Sequence, residues 1–198
     1  MNTISRNVLS AAVGAIILGL GSLAQAEDTI KIAVAGPITG PVAQYGDMQM
    51  IGAKMAVEQI NAKGGVNGKK LEAVLMDDVC EPKQAVAVAN QIVNQKIKYV
   101  VGHLCSGSTQ PASKLYEDEG ILMITPAATN PAITQQGYKM VFRTIGPDHQ
   151  QVPTAGKYIP AKIKPKKLAI IHDKQQYGEG IAKEVDKTVK AAGITPVL

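Results

Sequence analysis

"YVVGHLCSGSTQPAS", residues 99 to 113, decides how this 198-residue chain is read. A short apolar run meets Gly102 and passes into small hydroxyl residues around Cys105, one of two cysteines. Strand, tight loop and helix start, in that order, belong to a parallel sheet covered by helices, where ligands sit beyond the carboxyl ends of the strands. The segment "STQPASKLYEDEG" from Ser108 predicts a helix, with a serine near its cap and Pro111 in its first turn. A helix start presents free N–H groups and a positive dipole end, and Ser106, Ser108 and Thr109 add hydroxyls where a carboxylate could dock. Capping alone accounts for one such hydroxyl, not three.

Outward from this stretch, β-rich runs alternate with helical periodicity. "TIKIAVAG" from Thr29 reads as a first strand, "KLEAVLMDD" as a second, "KYVVG" as a third, "ILMIT" as a fourth and "LAIIHD" as a later one. Between the second and third, Ala85, Val88, Ala89, Ile92 and Val93 form one apolar stripe behind Pro82, a first-turn proline. Ile181, Val185, Val189 and Ala192 repeat the pattern before Gly193, and "AKGGVNGKK" is the glycine-rich turn that ends the first helix. After the fourth strand, "ITPAATNPAI" places Thr125 and Thr129 around Ala127 and Ala128, in a loop stiffened by Pro126 and Pro131. Hydroxyl and N–H donors in one loop, with carbonyl acceptors in the next, suit the carboxylate and ammonium of an amino acid; two structural turns are the alternative.

The first 26 residues stand apart, because Arg6 precedes an apolar run from Val8 to Leu20 and the small-residue ending "AQA". About 13 apolar residues fall short of the roughly 20 of a membrane-spanning helix, so residues 1–26 read as a secretory signal peptide cleaved after Ala26. Export places Cys80 and Cys105 in an oxidising compartment, where an even count favours a disulfide. Closing a loop of about 25 residues stabilises by roughly 3 kcal/mol in the chain-entropy model. No metal site is expected, since His103 beside Cys105 lacks further ligands at zinc spacing.

With 45% hydrophobic and 19% charged residues the chain has the composition of a globular domain. Its net charge of +5 and the run "KIKPKK" from Lys162 do not indicate nucleic acid, because aromatics are only 4% and are not interleaved with the lysines.

Six stretches, "AGPITGPVAQYGD", "INAKGGVNGKKLE", "DDVCEPKQAVAVAN", "GHLCSGSTQPAS", "YEDEGILMITPAAT" and "HDKQQYGEG", together resemble the periplasmic leucine/isoleucine/valine-binding proteins of ABC transporters. The similarity runs from about Asp28 to the end in matching order. It implies an α/β, type I periplasmic-binding-protein fold, in which two doubly wound parallel-sheet lobes joined by a hinge close on an amino acid and deliver it to an inner-membrane permease. On this basis residues 27–146 are an N-terminal lobe and residues 147–198 the start of a second. The first lobe would lack a returning segment and the chain would end inside the second, so that this piece alone is expected to be marginally stable and to bind poorly. A monomer in the periplasm, with no cofactor, metal or nucleic acid, is implied, as is the Cys80–Cys105 pair.

Carried over by residue, the resemblance makes Ser106 the donor to the ligand carboxylate. Thr129 would share that task and reach the ammonium, and Ala127, with Ala128 beside it, would offer a carbonyl. Tyr45, Leu104 and Cys105 would line the wall around the aliphatic side chain, and Tyr177 would close over it. Leucine, isoleucine and valine are the implied ligands, with alanine and threonine as further candidates. Gly107 stands where the family usually has a serine, and Asn130 replaces a small apolar residue.

Two other functional classes compete with this one. A sensor of amides or similar small solutes would use the same lobes. A secreted hydrolase with a serine or cysteine nucleophile is disfavoured: G-x-S-x-G cannot be placed on Ser106 or Ser108, because Leu104 and Ser106 lie two positions before them. A disulfide would silence Cys105 as a thiolate. His103, His149 and His172 read as solvated or hydrogen-bonded loop histidines, and Asp77 and Asp78 as acidic residues favouring the start of the helix that follows.

Overall fold

The computed structural model describes residues 29–197; the signal-peptide reading of residues 1–26 lies outside the described residues. Its strands are β1 (Ile30–Gly36), β2 (Leu71–Asp77), β3 (Tyr99–Gly102), β4 (Leu122–Thr125) and β5 (Val141–Arg143). They form one sheet in the order β2-β1-β3-β4-β5, every pair parallel. Helices α1 (Ala43–Ala62), α2 (Pro82–Asn94) and α3 (Ser106–Asp118) follow the first three strands.

Period-two alternation along β1 sorts its side chains between two layers. Ala33 and Ala35 join Val100 in the core with Ala85, Val88, Ala89 and Ile92 of α2 and Ala112 and Tyr116 of α3. Ile32 and Val34 face the other way, toward Ala53, Ala56 and Val57 of α1. The helix α1 is held to both central strands by Gln49, whose Nε2 donates to Ala35 O at 3.0 Å and Val101 O at 3.1 Å. At its far end Asn61 clamps the start of β2, donating to Leu71 O at 2.8 Å and accepting from Leu71 N at 2.7 Å.

Gly102 ends β3 with φ of +133°, and a Cβ there would fall 2.0 Å from Ala35 O. Only glycine lets β3 lie this close to β1 while turning sharply into the next loop.

Two expectations need correction, and one strand is added to them. Helix α3 begins at Ser106, because the N–H groups of Ser108 and Thr109 both donate to Cys105 O; Pro111 is therefore inside the helix, not in its first turn. "LAIIHD", 168–173, forms no strand. A strand needs a ladder, and the one bond reaching this segment among the described backbone pairs outside helices and strands is Val197 N to Leu168 O at 2.8 Å. Ile171 is consequently 82% exposed. In the opposite direction, β5 was not anticipated: its three residues are too short for a periodic signal, and pairing of Met123 with Val141 defines it.

Beyond β5, α4 (Asp148–Tyr158) packs on α5 (Gln176–Ala191). Val152 and Val189 are buried. The close approach requires Gly156, where a Cβ would meet Thr188 Cγ2 at 2.1 Å.

Ile92 is fully buried against the sheet. Ile92→Ala is expected to cost about 3 kcal/mol through lost transfer energy and a residual cavity. Denaturant melts should show a lower midpoint at an unchanged slope.

Candidate functional site

The order β2-β1-β3-β4-β5 places the topological switch between β1 and β3, where consecutive connections leave for opposite faces and open a crevice at the carboxyl ends. The loops after β1, β2, β3 and β4 build its floor.

Asp77 anchors the first loop. Its Oδ1 accepts from Ile38 N at 2.9 Å, Thr39 N at 3.3 Å and Val79 N at 3.0 Å, and its Oδ2 from Thr39 Oγ1 at 2.6 Å. Partial burial raises the Asp77 pKa, but the bonds from Thr39, Val79 and Ile38 outweigh it and hold the carboxyl below its ordinary value of 3.8. Asp78 turns inward, fully buried, with Oδ1 accepting from Cys80 N at 2.8 Å and Oδ2 lying 2.6 Å from His103 Nδ1. The helix-start role read for these two aspartates is thus corrected: α2 begins at Pro82 with Glu81 at its cap and no side-chain cap bond. The intervening turn carries Asp77 and Asp78 back to other loops.

Of the three histidines, His103 is buried and bonded through both ring nitrogens, while the exposed His172 accepts from Lys174 N at 3.1 Å on Nδ1. The Nε2 of His103 lies 2.9 Å from Tyr116 OH, and its carbonyl accepts from Thr109 Oγ1 at 3.0 Å and Thr125 Oγ1 at 2.7 Å. Thr125 Oγ1 in turn accepts from Ala128 N at 3.1 Å. Cys80 and Cys105 form a disulfide with Cα atoms 5.6 Å apart, tying the β2 loop to the start of α3.

Above these groups lies a cleft of about 450 Å³. Of the expected ligand-binding residues it brings together Tyr45, Leu104, Cys105, Ser106, Ala127 and Tyr177, and Val42, Cys80, Gly107, Asp173 and Gln175 complete its lining. Ala128 and Thr129 do not line it: Ala128 packs in the core, and Thr129 is 6% exposed with its Oγ1 unpaired. Of the three hydroxyls at the start of α3, only Ser106 reaches the cleft. Thr109 Oγ1 is used by the carbonyls of His103 and Cys105, and Ser108 is fully buried. No local pattern distinguishes the inward from the outward hydroxyl until α3 is given its true start.

Asn130 joins the loop after β4 to both sides of the cleft. Its N–H donates to Ser106 Oγ at 3.3 Å and its Nδ2 to Gln176 O at 3.3 Å, while Gln110 and Gln176 bond side chain to side chain. At Gly107 a Cβ would meet Pro82 Cγ at 3.8 Å and Gln176 Cβ at 3.9 Å, ordinary contacts, so a serine fits there. Among the described residues no cluster of His, Cys, Asp and Glu could hold a metal, and no helix is long and apolar enough to cross a membrane.

Residues 29–198 match the family model described as periplasmic binding protein. The chain belongs to that family. It is 66% identical over 178 residues to the leucine-, isoleucine-, valine-, threonine- and alanine-binding protein of Pseudomonas aeruginosa, a match covering 90% of this chain and 48% of that one. The chain spans about half the length of the curated relatives it matches. Among solved structures, a type 1 periplasmic binding protein of Bordetella pertussis superposes with a TM-score of 0.77 at 31% identity, over 86% of this chain and 48% of that one. A branched-chain amino acid transporter substrate-binding protein of Streptococcus pneumoniae, solved with isoleucine, gives 0.74 at 33%, over 81% and 46%. The α/β type I fold expected from the sequence is therefore the observed one, and the family and these relatives are binding proteins rather than enzymes.

The depressed Asp77 carboxyl predicts a pH dependence. A folded-state pKa below the unfolded value contributes stability above the unfolded value, and this is lost as pH falls through the folded one. Asp77→Asn should be less stable than the unsubstituted protein near about pH 7, with the gap closing as melts are repeated down to about pH 3.

Proposed function

We propose that this protein captures branched-chain aliphatic L-amino acids in the periplasm and delivers them to an ABC permease of the inner membrane. Convergence of Ser106 and Ala127 on one cleft walled by Tyr45 and Leu104 carries the reading. Ser106 is the first residue of α3, so its N–H has no intrahelical acceptor and lies at the positive end of the dipole. A carboxylate takes that N–H and the Ser106 hydroxyl. The ammonium takes the Ala127 carbonyl, and Thr129, whose buried Oγ1 has no partner, turns to the ligand as the cleft closes. The aliphatic side chain packs on Tyr45, Leu104 and the Cys80–Cys105 sulfurs, with Tyr177 closing over it.

In this reading residues 27–146 form most of one lobe, and residues 147–198 open a second that hinges against it. Residues 1–26 direct export, and the protein works as a monomer. The apolar groove between α1 and β1, lined by Met48, Ala53, Ala56 and Val57 with Ile32 and Val34, is where a further segment of the first lobe would pack. The 66% identity to a relative named for leucine, isoleucine, valine, threonine and alanine supports the ligand class.

Calorimetric titration of L-leucine into the mature protein as its gene encodes it should show saturable one-to-one binding with no chemical change in the ligand. Ser106→Ala removes a hydrogen bond to a charged group, so affinity should fall by about ten- to a hundredfold. Absence of binding across the aliphatic amino acids would reject this ligand class and favour a sensor of amides or similar solutes.

A further inference from the structure

We propose that the buried array Asp78–His103–Tyr116 sets the separation of the carboxylate and ammonium cradles, making His103 a positioning residue for α-amino acid binding. The proposal rests on the ligand class proposed above.

All three side chains have 0% exposure, so no solvent completes their hydrogen bonding. Burial raises the Tyr116 phenol well above its ordinary range, and the charge of Asp78 adds to that effect, so Tyr116 keeps its proton. Asp78 already accepts from Cys80 N on Oδ1; its Oδ2, 2.6 Å from Nδ1, accepts from the ring. The remaining ring nitrogen, 2.9 Å from Tyr116 OH, accepts the phenolic proton. This Nδ1–H tautomer satisfies every polar atom in the array. An Nε2–H ring would leave the Tyr116 proton with no acceptor and turn a bare nitrogen toward the Asp78 carboxylate.

The ring is thereby gripped from the β2 loop on one edge and from α3 on the other. Its own backbone lies between the two cradles. The His103 carbonyl binds Thr125 Oγ1 at 2.7 Å, and that hydroxyl accepts from Ala127 N at 3.4 Å and Ala128 N at 3.1 Å. Three residues further along the chain from His103 is Ser106. A displacement of His103 therefore changes the distance from Ser106 to the Ala127 carbonyl, which is the distance that distinguishes an α-amino acid from its homologue with one more methylene between the charges.

Asp78→Asn tests the array directly. The amide oxygen must stay on Cys80 N–H, so the amide NH₂ faces Nδ1 and the tautomer reverses. In protein labelled with ¹⁵N-histidine, the protonated and bare nitrogens of His103 should exchange positions relative to the unsubstituted protein. Tyr116→Phe keeps the tautomer but frees one edge of the ring. Affinities for L-leucine and for β-leucine, its β-amino isomer, are then measured on all three proteins. The unsubstituted protein should prefer L-leucine, and both variants should lose about tenfold of that preference. General destabilisation lowers both affinities together and leaves their ratio unchanged. Should Asp78→Asn fail to fold, Tyr116→Phe carries the comparison. An unchanged ratio with leucine still bound overturns the positioning role alone. No leucine binding by the unsubstituted protein overturns the ligand reading and this role with it, and an unreversed tautomer in folded Asp78→Asn overturns the array as assigned.

Discussion

The His103 carbonyl, accepting two buried hydroxyls at once, is the interaction on which the rest of the cleft depends. A carbonyl has two lone pairs, and here one binds the first turn of α3 through Thr109 while the other binds the end of β4 through Thr125. The imidazole of the same residue reaches the β2 loop through Asp78. Three chain segments that share no local sequence are joined at one buried residue. Losing any of these partners would strand a polar atom where water cannot replace it, at a cost of about 1 to 3 kcal/mol. The disulfide duplicates one of the three links covalently, since Cys80 and Cys105 belong to two of the segments joined by Asp78 and His103.

The sheet order makes that junction useful. β1 and β3 lie side by side with their connections on opposite faces, so the loops that leave the carboxyl ends of these two strands diverge into open space. Gln49 ties the two strands together just before that point, bonding the carbonyl one residue short of each strand's end, and Gly102 permits the approach. A binding cleft here needs no dedicated architecture: it is where a doubly wound sheet is already incomplete, and the loops have only to supply polar groups of the right kind.

Four strands and the apolar stripe of α2 were legible in the sequence because their periodicity is local: Ala85, Val88, Ala89 and Ile92 repeat at helical spacing whatever surrounds them. What could not be read was non-local. Nothing within several residues of Asp78 shows that its carboxylate points at an imidazole 25 positions later instead of at the helix that follows. "LAIIHD" has every intrinsic feature of a strand and lacks only a ladder, which is a property of neighbours. The three-residue β5 is the converse case, a strand with almost no intrinsic signal that exists because β4 offers it an edge. The cleft residues Asp173 and Gln175 were missed for the same reason, since only the placement of α5 against α3 brings them near Ser106.

Asn130 shows how a single side chain acts at such a seam. Its Oδ1 accepts from Ala132 N at 3.0 Å and its carbonyl from Arg143 Nη1 at 2.8 Å, so the residue is fixed on the sheet side by the short 3-10 turn and by β5. Toward α5 it makes one long bond, Nδ2 to Gln176 O at 3.3 Å, and a Cβ on Gly180 would come within 2.8 Å of that same nitrogen. A small apolar residue here would leave the seam to Gln110 and Gln176. One neutral hydrogen bond contributes about 1 kcal/mol, roughly a fivefold shift between two arrangements of the seam. In the binding role proposed above, that would be enough to bias an open and a closed cleft without locking either, and the bond lies next to Ser106, whose hydroxyl the Asn130 backbone also touches. A ligand that draws on the Ser106 hydroxyl would therefore act on the residue whose side chain also bonds the start of α5. In the binding role proposed above, closure and recognition would meet at Asn130, which bonds both Ser106 and Gln176.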